Sequence, residues 1–159
     1  MKCIIISCFA GVGKNYAFNY LIQHGYKVDS IEKYRDFYDI YPTYNDYIKD
    51  IKNRAKINDV LFIPYFLGMD NRYIKGKIQY TLIYPDKKLK YVYINRFKEL
   101  GFTDEQIKYL YDNFYIMIKD CDNSNCDRVK LMSENEYCLD IILNMCNKSI
   151  LEVFDFDLL

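Results

Sequence analysis

"SCFAGVGKNYAFNYL", residues 7–21, joins the end of an apolar run to a glycine-bearing loop, a lysine and the start of an apolar helical pattern. That order, strand then glycine loop then helix, is the context in which a phosphate-binding P-loop carries meaning; its pattern is G-x-x-x-x-G-K followed by serine or threonine. Gly13 and Lys14 fill two of the four fixed places, while Cys8 stands where the first glycine belongs and Asn15 where the hydroxyl belongs.

A bound phosphate needs backbone N–H groups turned into a concavity, the positive end of a helix facing it, and a lysine to bridge its outer oxygens. Gly11 and Gly13 give the backbone freedom to wrap, and Lys14 stands where the bridge is required. Cys8 is the lesser departure, because that position ends a strand and another small residue can meet its conformational demand. Asn15 is the greater one: an amide oxygen reaches magnesium directly or through water, but from a longer arm than a hydroxyl. We therefore expect Ala10, Gly11, Val12, Gly13, Lys14, Asn15 and Tyr16 to hold a bound phosphate, with Asn15 a weakened ligand for Mg2+. The competing reading is a tight strand-to-helix turn that merely contains two glycines and a lysine.

With 159 residues the chain is long enough for one domain with a proper core and too short for two comfortable ones, so a single domain spanning 1–159 is expected. Lysine plus arginine and aspartate plus glutamate both number 22. No global field then draws the protein to nucleic acid or an anionic membrane, and neither is an expected partner. No apolar run reaches the ~18 residues of a membrane span, and "MKCIIISCFAG" breaks into a glycine loop instead of continuing as a signal-peptide core. A cytoplasmic location follows as an expectation. The six cysteines, at 3, 8, 121, 126, 138 and 146, read as reduced structural thiols, with a metal site or redox pair among the last four as the alternative.

The continuous run 2–7 reads as a strand buried on both faces of a parallel sheet. Residues 14–24 read as a helix, 26–30 as a short strand, 42–56 as a helix and 59–65 as a strand ended by Pro64. Residues 78–84 make a fourth strand, after which Pro85 opens a helix that runs to about Leu100 and is closed by Gly101. Thr103 and Gln106 form a capping box for a helix reaching about Lys119; 127–133 is a fifth strand and 134–146 a last helix. Alternation of this kind predicts an α/β protein with a mainly parallel five-stranded sheet flanked by helices.

"FAGVGKNYA", the short strand ending in Asp29, "YTLIYPDKKLKYVYINRFKELG" and "LYDNFYIMI" together resemble small phage-encoded P-loop proteins similar to nucleoside monophosphate kinases. The likeness covers roughly residues 3–118 and is most specific over 80–101. It implies the three-layer fold of P-loop nucleotide kinases, ATP as phosphoryl donor, a nucleotide as acceptor and the cytoplasm of a bacteriophage-infected host as the setting. Within it Arg96 matches a lid-type arginine and Asn113 matches a retained asparagine. Asn15 replaces the loop threonine, Leu100 a second arginine, "PYFLGMD" with Phe66 and Asp70 a Ser-Ser-His segment, and Phe114 a tryptophan. These departures keep a second reading open, a catalytically degenerate pseudokinase that works by contacting another protein.

Lys14, Arg96 and Asp29 are the expected catalytic residues. Phosphoryl transfer rests on positioning and on cations that meet the moving charge, which is the role given to Arg96, with Lys98 behind it and a solvated helix residue as the plain alternative. Asp29 ends a strand where open α/β sheets collect ligands; it would orient the acceptor or a magnesium-bound water, or else cap a helix beginning near Ile31. Glu32 shares both readings less strongly. Arg35 and Arg72 suit an acceptor phosphate or the bare surface, His24 a helix end, and the tyrosines at 34, 38, 41, 44 and 47 a core and rim stripe.

Overall fold

A computed structural model describes residues 2–157. Five strands, β1 (Ile4–Cys8), β2 (Val28–Ser30), β3 (Val60–Pro64), β4 (Thr81–Pro85) and β5 (Asp127–Leu131), form one sheet in the order β2-β3-β1-β4-β5. Every pairing is parallel. Parallel strands need long crossovers, and these carry α1 (Lys14–Gln23), α2 (Phe37–Ile40), α3 (Tyr44–Ala55), α4 (Lys90–Glu99) and α5 (Asp104–Asp122), while α6 (Cys138–Asp157) follows β5. In this order the step from β1 to β2 runs one way and all later steps run the other. Right-handed crossovers therefore place α1 on one face of the sheet and α3 and α5 on the other. Helix α6 returns to pack on α1 and β1.

Strand β4 is buried along its whole length and β3 along all but Pro64, because both faces are covered. Val60, Leu61 and Phe62 are fully buried, as are Leu82 and Ile83, which is why these segments read as unbroken apolar runs and not as alternation. Helix ends follow local chemistry. Thr43 accepts from the Asp46 amide and Thr103 from the Gln106 amide, each completing a capping box that contributes about 1 kcal/mol.

Several boundaries differ from the expectation. Pro85 does not start a helix; it ends β4 opposite Leu131, and a 3₁₀ turn at Lys87–Leu89 comes before α4. Residues 78–80 lie before β4, where Tyr80 supplies only a carbonyl to the Asp127 amide. The last helix begins at Cys138, not 134, and continues to Asp157. No helix starts near Ile31; the chain stays irregular until α2, so Asp29 caps nothing there. A five-residue π-helical turn at Asp70–Ile74 holds Asp70 in the interior, where Tyr80 Oη donates at 2.7 Å and the Asn125 amide at 2.9 Å. Among the described residues no helix is long and apolar enough to cross a membrane.

Candidate functional site

The chain leaves β1 in one direction and β3 and β4 in the other, so a crevice opens at the carboxyl end of β1, the place where open α/β sheets take ligands. The glycine loop fills this position. Phe9 leaves the strand with its amide bonded to the Ile83 carbonyl at 2.9 Å and its ring buried. That ring stacks on Tyr65 and meets Tyr93 and Phe114 edge-on. Phe114, the residue in place of a tryptophan, is thus part of the floor under the loop.

Gly11 (φ 89°) and Gly13 (φ 93°) both adopt the left-handed conformation that other residues avoid. Space reinforces the choice: a Cβ on Gly11 would lie 3.1 Å from Tyr93 Cδ2, and one on Gly13 3.1 Å from Tyr137 Cδ1. The two glycines roll the loop so that its carbonyls face outward into donors. Gly11 O accepts from Arg96 Nη1 at 2.9 Å, Val12 O from the Cys138 amide at 3.0 Å and Phe9 O from the Val12 amide at 3.3 Å. The amides of Ala10, Gly11, Gly13, Lys14, Asn15 and Tyr16 have no protein acceptor among the described residues. Gly13 caps α1, so the last four of these are also the orphan donors at the positive end of a helix.

Val12 departs from expectation. Its amide is spent on the Phe9 carbonyl and its side chain is fully buried, so it anchors the loop and is not one of the amides left open. Arg96 reaches the loop, but from its carbonyl side. A second bond runs from Nη2 to the Glu134 carbonyl, and the guanidinium lies 4.6 Å from the Tyr93 ring and 4.4 Å from the Tyr137 ring. Burial pushes the Tyr93 phenol up to about 12, so a neutral ring faces the cation. Cys8, in the place of the first glycine, is buried, and the neighbouring Cys138 thiol together with burial holds its own thiol well above the usual value.

Lys14 forms an ion pair with Glu32, whose Oε1 also accepts from Ser30 Oγ at 2.7 Å. Burial raises the Glu32 carboxyl, but the hydrogen bonds from Lys14 and Ser30 and the ammonium charge outweigh it, and the net displacement is below the ordinary glutamate range. Asp29 is engaged elsewhere: its Oδ2 accepts from Arg54 at 3.1 Å, and Arg54 also holds Asp50 at 3.1 Å. The acid beside Lys14 is therefore Glu32. Asn15 and Tyr16 are exposed.

For the phosphates of ATP the donors available are the unpartnered amides, the helix terminus and Lys14. For magnesium the donors available are the Asn15 amide oxygen and the Glu32 carboxylate, and no cluster of three or more His, Cys, Asp or Glu exists among the described residues. That set suits a cation held largely by phosphate oxygens and water.

Other expected participants lie apart. Arg35 is exposed, Arg72 packs its side chain over Gly68, and Leu100 is an exposed helix end. Phe66 is buried among Phe37 and Tyr73, with Lys33 Nζ 4.4 Å from its ring. His24 ends α1 with Nδ1 2.8 Å from the Tyr20 carbonyl. One open groove of about 490 Å³ lies between α4 and α5 and another of about 670 Å³ between the 3₁₀ turn and α5, and no loop residue lines either. An anion held by backbone amides at a helix mouth needs no such groove.

The sequence singled out neither Tyr93 nor Tyr137, and Cys138 only as one of several thiols, because the loop's outer partners come from distant segments with no motif of their own. No family model matches the chain, and no curated protein matches it.

Proposed function

We propose that the chain is a P-loop protein with the three-layer nucleotide-kinase-like fold, binding the triphosphate of ATP in the loop 10–16. On this reading it transfers the γ-phosphoryl group to a nucleoside or deoxynucleoside monophosphate in the cytoplasm of an infected bacterial host. One observation carries the reading: carbonyls bonded at Phe9, Gly11 and Val12 beside amides without acceptors, at the start of a helix that begins with Lys14. Four of those open amides are the ones every helix start leaves; those of Ala10 and Gly11 come in addition, and they extend the row of donors ahead of the helix. The strand order, with β1 central and the loop at its switch point, supports the same conclusion, as does the likeness over 80–101.

In this scheme the amides of Ala10, Gly11 and Gly13 to Tyr16 cradle donor phosphates, and Lys14 leaves Glu32 to bridge the outer oxygens. Bound Mg2+ would neutralise charge on the triphosphate, with Asn15 and Glu32 as the nearby oxygens. Arg96 serves by holding the loop in shape, since its bonds run to the carbonyl side.

A specific observation favours a second reading, the pseudokinase that binds a protein. The region beyond β2 and β3 is packed with Phe37, Tyr41, Tyr47, Phe66 and Tyr73, which fills space an acceptor would use. The two separate by titrating ATP with and without magnesium and following the melting temperature. The enzyme reading expects a rise that Lys14→Ala abolishes, together with magnesium-dependent ADP formation. Absence of both leaves the protein-binding reading.

A further inference from the structure

Lys14, the residue assigned to the outer phosphate oxygens, already holds an anion: its ammonium is paired with Glu32 Oε1, and both side chains are half-buried. Glu32 has a second anchor that does not depend on the lysine. Ser30 Oγ donates to the same oxygen at 2.7 Å, and the Ser30 amide is itself bonded to Asp29 Oδ1 at 2.8 Å. Among the described residues Lys14 is the one cation paired with this carboxylate. A triphosphate entering the loop therefore competes with Glu32 for a single ammonium, and the serine keeps the displaced carboxylate beside the site.

The two forms of ATP meet this competition differently. Bare ATP brings only negative charge. Drawing Lys14 away leaves a half-buried carboxylate without its counter-ion, next to the arriving phosphates, and both the broken pair and the like charge oppose binding. The magnesium complex has a lower net charge and carries a cation held by phosphate oxygens and water, for which a carboxylate oxygen is a natural partner. Glu32 has one to give, since Oε2 accepts no bond among the described residues. Asn15 is neutral and loses nothing when Lys14 moves, so it cannot make the same distinction.

We infer that Glu32 makes the loop selective for the magnesium complex of ATP over the free triphosphate, by withholding Lys14 from the latter; this rests on the reading of the glycine loop as the triphosphate site. Glu32 then sets which form of the donor is admitted, before any phosphoryl group moves.

The test is calorimetry on the full chain with the β,γ-imido analogue of ATP, which resists transfer, in excess magnesium in one arm and in a chelator in the other. The native protein should bind the analogue at least about tenfold more tightly with magnesium. In Glu32→Gln the bare analogue should bind more tightly than it does to the native protein, and the ratio between arms should fall towards one. Asp29→Asn removes a neighbouring charge that Arg54 holds, and should leave the ratio as it is; Arg54 keeps Asp50. Ser30→Ala, which frees the carboxylate from its second anchor, should lower the ratio in part and serves if Glu32→Gln does not fold. A native ratio near one overturns the inference, as does a ratio kept in Glu32→Gln. So does an equal fall in Asp29→Asn, which would make the preference one of net charge. Each of these leaves the triphosphate reading standing. Binding in neither arm by the native protein overturns both.

Discussion

Arg96 Nη1 donates to the Gly11 carbonyl oxygen at 2.9 Å, joining residues 85 positions apart. The same guanidinium holds the Glu134 carbonyl and lies between the rings of Tyr93 and Tyr137. One side chain thus fixes the loop against α4 and against the turn before α6. Removing it in Arg96→Ala should cost about 1–3 kcal/mol in a urea melt, from two lost bonds to carbonyls and the lost stacking. Amide exchange at Val12 and Cys138, whose amides are bonded within and onto the loop, should quicken. Arg96→Lys should recover little, because one ammonium cannot span both carbonyls or stack as a plane. Unchanged exchange in Arg96→Ala would show that the loop keeps its form without the clamp.

Gly13→Ala places a Cβ where φ is +93° and Tyr137 is 3.1 Å away. The strain is about 1–3 kcal/mol, and ATP-induced stabilisation should vanish because the cradle cannot keep its curvature. Gly25→Ala is the matched control. It shares a positive φ of 88° but meets nothing within 4 Å, so its melting temperature should fall while ATP still raises it.

The folded-state carboxyl of Glu32 lies below the ordinary value even though burial acts the other way. A depressed folded value means that the stabilisation is complete above the unfolded value, about 4.3, and is lost as pH falls through the folded one. The stability difference between the native protein and Glu32→Gln should be level from about pH 6 to 7 and close below about pH 4. The titratable groups facing Glu32 are Lys14 and the buried Cys8 thiol, the latter held well above its usual value by the neighbouring Cys138 thiol and by burial. The thiol keeps its proton through this range. A difference that widens in acid would contradict the assignment of the ion pair.

Asp70 is buried with Tyr80 Oη and the Asn125 amide as donors to its carboxyl oxygens. Tyr80→Phe keeps the ring and removes one donor, leaving Oδ1 short of a partner in the interior. The expected loss is about 1–3 kcal/mol by denaturant unfolding, with ATP binding unaffected.

The sheet was legible because a strand buried on both faces has to be apolar throughout, and runs such as 59–65 leave little else to read. Helix starts were legible where a side chain must satisfy the first amides, as at Thr103. Ends were less so. Pro85 suits the first turn of a helix and the end of an outer pairing equally well, and the choice is made by Leu131 in β5, far along the chain. Within the site, Gly13 and Lys14 were recognisable from local pattern. Whether Asp29 or Glu32 faces Lys14 was not, because the two stand in an irregular stretch with no period to assign a face. The orientation of Arg96 was hidden too, since it depends on Tyr93 one turn earlier and on Tyr137 from beyond β5.

The bond from the Cys138 amide to the Val12 carbonyl gives the site an unusual order of assembly. The glycine turn spans residues 9–13, yet its outer supports come from residues 96, 134 and 138. Contacts of such long sequence separation are slow to close. The loop therefore reaches its final form only once β4, α4 and the turn before α6 have folded against it, which ties its shape to completion of the sheet.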